Sequence, residues 1–312
     1  MRYSLVSRAR GSILGALLGE CLACGGVETL HATSLHEWKK MVIVGTESLI
    51  ELGRFDVNDW IKRQQQAGII LEGGTHFSSQ VILGALPIAL FSHENTIKLR
   101  QSLLRMVEIC QQDNPILQDW MLAIGYTIAQ SLTEKLTPVT LIPQIIAFLG
   151  DTPTQVPQIL LKLNNFLEKQ VGLETTQAEF SREEKLSKVM AMAFYCFLGT
   201  LEDFRLSVGR ATQVKSHSVL ISAFTGTLSG AYNGVAGIPV SWRFLLSKTQ
   251  SARWQLTNFS RMLKLADALV ATWSGVYDPG LHQSEFREEE WTIALGEKPL
   301  GAIAAPRVIR LI

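Results

Sequence analysis

Charge is scarce in this 312-residue chain. Asp, Glu, Lys and Arg together make up 18% of it, and 29 basic residues against 28 acidic ones leave a formal net charge of +1. No long basic run occurs, so there is no electrostatic case for nucleic acid or an anionic membrane as partner. Long hydrophobic runs are missing as well. The best, Val81 to Phe91, is interrupted by Pro87 and falls short of the roughly 18 apolar residues that cross a bilayer. The first ten residues lack the apolar stretch of a secretory signal, and Glu20 breaks the apolar segment that opens at Gly11. A cytoplasmic protein is the expectation.

Cysteine is also sparse, with Cys21, Cys24, Cys110 and Cys196 in the whole chain, which argues against a disulfide framework. Cys21 and Cys24 have C-x-x-C spacing, but no second pair or nearby Cys/His pair completes four zinc ligands. The simpler reading is two small side chains packed at an apolar helix end. No G-x-S-x-G elbow, no phosphate-binding G-x-x-x-x-G-K-[ST] and no G-x-G-x-x-G is present. Alternating strand patterns are rare, and only residues 291–295 and 307–312 suggest them.

What the chain has is apolar material, 47% of its residues, arranged with helical periodicity. Helices are expected over residues 8–24, 78–91, 96–110, 115–131, 156–169, 183–200, 201–215, 219–232, 240–246 and 251–272. Asn114-Pro115 reads as an N-cap with proline in the first turn, and Ser181-Arg-Glu-Glu as a capping box. Gly199 and Gly234 sit where helices should end. Irregular stretches are expected at 23–35, 66–75 and 137–156, and an exposed connection at 169–184. The class is all-α, as a single large multi-helix domain spanning 1–312. Its core covers about 8–275 with a C-terminal tail over 276–312, in which residues 301–312 are apolar enough to dock on the body or on a partner.

Two glycine ladders with a four-residue step stand out: Gly11, Gly15 and Gly19 near the start, and Gly226, Gly230 and Gly234 later. Residues four apart share one helix face, so each ladder makes a seam almost free of side chains. Glycine within a helix costs up to about 1 kcal/mol relative to alanine, so a packing reason is required. Close helix-to-helix contact, with the two ladders facing each other, supplies it. Two polar loops run directly into apolar helices: Glu72-Gly-Gly-Thr-His-Phe-Ser-Ser-Gln80 and Lys215-Ser-His-Ser-Val-Leu220.

With these features together, the chain resembles the ADP-ribosylglycohydrolase family over about residues 8 to 275. The opening Arg10-Gly-Ser-Ile-Leu-Gly-Ala-Leu-Leu-Gly19-Glu-Cys-Leu-Ala-Cys24 is similar to the family's first glycine-rich motif. The segment Lys215 to Pro239 is similar to its late motif, with Gly226, Gly230, Ala231, Tyr232, Gly234, Ile238 and Pro239 in place. The resemblance implies an all-α fold and a site that binds two divalent cations, usually Mg2+, to cleave the bond between ADP-ribose and its attached group. Such hard cations take oxygen ligands, largely carboxylates.

At those ligand positions this sequence departs from the family. In the central motif the Asp-Asp pair falls on Phe77 and Ser78, or on His76 and Phe77 if Thr75 sets the register. In the late motif the two aspartates fall on His217 and Val219, and the following threonine on Leu220. All four acidic positions have lost their carboxylates, and Phe77, Val219 and Leu220 offer no donor. Only Glu20, in place of the usual Asp, keeps an acid in the first motif; Glu28 follows nearby.

The expectation is therefore a scaffold without Mg2+ chemistry and with no cofactor, one that binds ADP-ribose, a related nucleotide or a protein partner through the inherited cleft. Glu20, Ser78, Ser79, Ser216 and His217 are the ligand-binding candidates. Glu20, His76 and His217 are the candidates for any surviving catalysis, with His76 and His217 as imidazole replacements able to hold Zn2+ together with Glu20. A third reading has Phe77, Val219 and Leu220 filling the cleft. Trp242, Trp254 and Trp273 fit a core role better than an adenine-stacking one.

Overall fold

The computed structural model of the chain describes residues 3–24, 37–69, 77–110, 114–243 and 253–276, and for 253–259 the backbone alone. Among these residues every regular element is helical: α1 (Leu5–Ala23), α2 (Glu37–Leu52), α3 (Val57–Gln66), α4 (Phe77–Gly84), α5 (Leu86–Phe91), α6 (Thr96–Ile109) and α7 (Pro115–Leu132). After these come α8 (Pro138–Leu149), α9 (Val156–Glu168), α10 (Leu173–Glu179), α11 (Lys185–Leu198), α12 (Phe204–Thr212), α13 (Ser218–Asn233) and α14 (Arg253–Trp273). The all-α expectation holds. The two strand-like stretches at 291–295 and 307–312 lie outside the described residues.

Helices α1 and α13 form the most extensive pair in the molecule. A methyl group added at Gly11 would overlap the carbonyl oxygen of Gly230, one at Gly15 that of Gly226, and one at Gly19 that of Ser222. Each step of four forward along α1 is matched by a step of four backward along α13, so the two are antiparallel with their backbones in direct contact. The ladders face each other as the sequence implied. Polar groups on the seam are satisfied across it: Ser12 donates its hydroxyl to the Thr227 carbonyl at 3.2 Å, and the Val235 amide donates to Ser7 Oγ at 3.1 Å. At Gly234 the chain leaves α13 with φ +62°, a conformation that favours glycine.

Other helices wrap this pair. α11 and α12 pack on α13 from one side, α7 reaches it from another, and α14 lies along α1. The chain ends of the layers are tied by ion pairs, with Arg10 bidentate to Asp267 of α14 and Arg8 bonded to the Ser131 carbonyl and to Glu134 after α7. Of the tryptophans, Trp242 packs edge-on to Phe204 with ring centroids 6.2 Å apart, in a small cluster with Leu14 and Leu18. Trp273 lies against His93 at 4.7 Å, and the side chain of Trp254 falls outside the described residues.

Several boundaries differ from the sequence reading, each for a local reason. The stretch 137–156 is no loop: α8 occupies most of it, because Leu141, Ile142, Ile145 and Leu149 recur on one face and are buried. Pro138 stands in its first turn, where proline costs nothing, and Pro143 deprives only the carbonyl of the exposed residue Val139. The segment 78–91 is two helices, because Pro87 cannot continue the bonding of α4 and instead opens α5. Residues 169–184 contain α10, and the Ser181 hydroxyl closes it by donating to Ala178. The cap of α11 is consequently Glu184, accepting from the Leu186 and Ser187 amides at 3.0 and 3.2 Å. Asp203, which accepts from the Leu206 amide, starts α12 later than the apolar pattern suggested. α2 and α3 were not anticipated; Gly45 of α2 leaves the space that the Trp60 ring of α3 fills. Asn114 caps α7 as expected, accepting from the Leu117 amide at 3.1 Å.

Two measurements test this packing. Gly15→Ala is expected to lower stability by about 2 kcal/mol or more in urea unfolding, since two backbones must separate. Gly209→Ala within α12, where an added methyl meets nothing, is expected to raise stability by about 0.4–1 kcal/mol. Equal effects at the two sites would mean the seam is not the constraint. The second test concerns His93, whose burial lowers its pKa from the ordinary 6.5, against the opposing effects of the Leu90 carbonyl and Glu94. The folded state thus holds fewer protons than the unfolded state just below that value. Its contribution is complete above about pH 6.5 and is lost as pH falls toward the depressed value, by at most about 1.4 kcal/mol per pH unit. His93→Gln is expected to flatten this acid limb relative to the unmodified protein.

Candidate functional site

Glu20 sits in the last turn of α1, a helix otherwise apolar over most of its circumference. A carboxylate there faces two penalties, burial and the negative end of the helix dipole. Both are met by the first turn of α2. Lys39 Nζ lies 2.8 Å from Glu20 Oε1, and Trp38 donates its Nε1–H to Oε2 at 3.1 Å. The Glu20 and Lys39 side chains are only 10% and 15% exposed, so this is a largely desolvated ion pair. The Lys39 ammonium also lies 5.8 Å from the centroid of the Trp38 ring. Each oxygen of the one acid retained in the first motif is thus already bonded.

Cys21 and Cys24 flank this pair at the end of α1. Burial raises both thiol pKa values; Glu20 raises them further, Cys24 adds to the effect on Cys21, and Lys39 opposes it. Both are held as thiols at neutral pH, not as the thiolates that bind metal or attack disulfides.

The glycine seam sets what lies opposite. Because Gly19 rests on Ser222, the last turn of α1 is adjacent to the N-terminal half of α13. That helix starts after His217, which adopts the left-handed conformation with φ +59° and provides no side-chain cap. His217, Ser216 and Val219 are half-buried and Leu220 is buried. The Ser216 and Ser222 hydroxyls are both buried without a hydrogen-bond partner. On α4, Phe77 and Ser79 are buried and Ser78 is half-buried; α4 packs on α2, whose Trp38 and Lys39 bond Glu20 of α1. The fold therefore brings the Glu20 end of α1 to the His217 end of α13 and connects Ser78 and Ser79 to them through α2. His76 and Glu28 lie outside the described residues.

The donors do not fit a Mg2+ cage. Phe77, Val219 and Leu220 carry no ligating atom, the Glu20 oxygens are bonded to Lys39 and Trp38, and the serine hydroxyls and the His217 imidazole supply no carboxylate. Among the described residues no group of three His, Cys, Asp or Glu side chains could hold a metal ion. Nor is any helix among them long and apolar enough to cross a membrane. Sequence reasoning missed Trp38 and Lys39. The available signal was Glu20 itself: an acid inside an apolar helix requires a cation and a donor, and Trp38-Lys39-Lys40 opens the next helix.

The sequence profile of the ADP-ribosylglycohydrolase family matches residues 50–279, starting beyond the first glycine ladder. A search of curated proteins gives no match. Among solved structures, a chain described as "ADP-ribosylglycohydrolase-related protein complex" shares the fold with a TM-score of 0.59. It is 17% identical, and the match covers 85% of this chain and 99% of that one. With most of its length inside the family profile, the chain belongs to the ADP-ribosylglycohydrolase family.

Proposed function

We propose that this protein is a pseudoenzyme of its family: it keeps the cleft but not Mg2+-dependent hydrolysis, and it binds an ADP-ribose-like ligand. The observation that carries the reading is the occupation of Glu20 by Lys39 and Trp38. Where the family places cations between acids, this chain has an internal ammonium bonded to its one acid and apolar side chains at three further positions. A lysine ammonium supplies one fixed positive charge but cannot polarise a bound water as a divalent cation does. Acid catalysis by Glu20 would require breaking its ion pair first.

Binding can outlast the chemistry because it draws on other groups. The first amides of α13 lack helical acceptors, and the Ser216 hydroxyl beside them has no partner. A phosphate group finds donors and a favourable dipole there. His217 and Ser216 contact the phosphates in this reading, and Ser78 and Ser79 border the ligand.

Two experiments test it. Calorimetric titration with ADP-ribose is expected to give the same affinity with and without Mg2+, with no turnover of an ADP-ribosylated substrate. Mg2+-enhanced binding or turnover would restore the active-hydrolase reading built on Glu20, His76 and His217; no binding at all would shift the search to a protein partner. The second concerns the ion pair. Lys39→Met should cost about 3 kcal/mol by leaving Glu20 buried without its cation, and adding Glu20→Gln should recover most of that loss. If Lys39→Met is neutral, the pair is not what occupies Glu20.

A further inference from the structure

A second cleft, of about 510 Å³, opens where the first turn of α8, the end of α9, the end of α11 and α12 meet. It shares no residue with the Glu20 and His217 region. Its volume falls in the range of small-molecule sites, about 300–1,000 Å³. At one end lies Arg210, with its guanidinium carbon 4.8 Å from the centroid of the Tyr195 ring. Tyr195 is buried and anchored, since its hydroxyl donates to the Val171 carbonyl. One helical turn further on is Gly199, where an added methyl would collide with Arg210 Nη1. A flat ring and a bare stretch of backbone thus make a seat for the guanidinium.

Nothing among the described residues neutralises Arg210: no carboxylate pairs with it and no acceptor takes its side-chain N–H groups. The acid in the lining, Glu168, is exposed and accepts from the Asn164 side-chain amide at 2.6 Å. The guanidinium carbon lies over the Tyr195 ring, and the side-chain N–H groups have no acceptor among the described residues; such a fork can receive two oxygens of one planar carboxylate. The remaining walls include Leu167, Val171 and Val139, the last being 79% exposed.

We infer that this cleft binds a small carboxylic acid with an apolar body, its carboxylate bidentate on Arg210 and its body over Val139, Leu167 and Val171. This stands apart from the ADP-ribose reading, since no residue is common to the two sites.

The test is titration of 15N-labelled protein with 3-phenylpropionate and with its neutral amide, 3-phenylpropanamide, following the Arg210 Nε–H resonance. The acid should move that resonance along a saturable curve, and the amide should bind at least about tenfold more weakly because it carries no charge. Gly199→Ala should displace the guanidinium and weaken the acid by about tenfold without lowering the thermal midpoint, since the clash falls mainly on a flexible side-chain end. Val139→Glu, at an exposed position, should weaken it by about threefold through like-charge repulsion. The inference is overturned if acid and amide bind equally, if both variants bind the acid like the unmodified protein, or if no saturable shift occurs.

Discussion

The structure depends on one contact: the backbones of α1 and α13 touching along the facing small-residue seam. At Gly11, Gly15 and Gly19 there is no room for even a methyl group, so the separation of the two helices is set by main-chain atoms and not by interchangeable side chains. That makes the pair a rigid reference for the rest. α7, α11, α12 and α14 pack around it, and its two ends carry the loops that matter. The last turn of α1 and the N-terminal half of α13 are neighbours because the seam runs antiparallel. The same glycines that appear wasteful for helix propensity are what hold Glu20 and His217 at the same end of the molecule.

Around that end Glu20 is neutralised from within the chain. A divalent-cation site concentrates carboxylates and relies on the ion to neutralise them. Here Lys39 neutralises the Glu20 carboxylate, helped by the Trp38 indole N–H. Phe77, Val219 and Leu220 add apolar surface there and carry no ligating atom. The arrangement is self-consistent in a low-dielectric setting, because a lone buried acid is costly and a bonded ion pair far less so. The elevated thiol pKa values of Cys21 and Cys24 follow from the same dry environment. The Arg210 cleft is the opposite case: a cation seated on Tyr195 and, among the described residues, without a counter-charge.

Much of this was legible before any coordinates. Helical periodicity and caps such as Asn114 located most of the helices, and the two ladders with equal steps implied that they face each other. The failures came where a strong local signal was outweighed by burial. Prolines at 138 and 143 argued for a loop, yet the apolar spacing from Leu141 to Leu149 carried α8. Ser181 looked like a cap and instead closes the preceding helix, because its hydroxyl finds the Ala178 carbonyl first. α2 and α3 were passed over although both have an apolar face at helical spacing, because polar residues dominate α3 and lysines open α2, and with them Lys39 went unnoticed.

The sequence by itself determined the chemistry available: which positions carry no ligating atom, where an acid interrupts an apolar helix, and which glycines force a close approach. Those are properties of residue identity and of spacing along a single helix, so they need no partner to be read. Only the tertiary structure decided what each polar group is bonded to. Glu20 and Lys39 are separated by a stretch of chain outside the described residues, and Arg210 meets Tyr195 and Gly199 only because α11 and α12 pack side by side. An ion pair or a cation seat depends on distances of a few ångström between separate elements, and those distances exist only once the helices have packed.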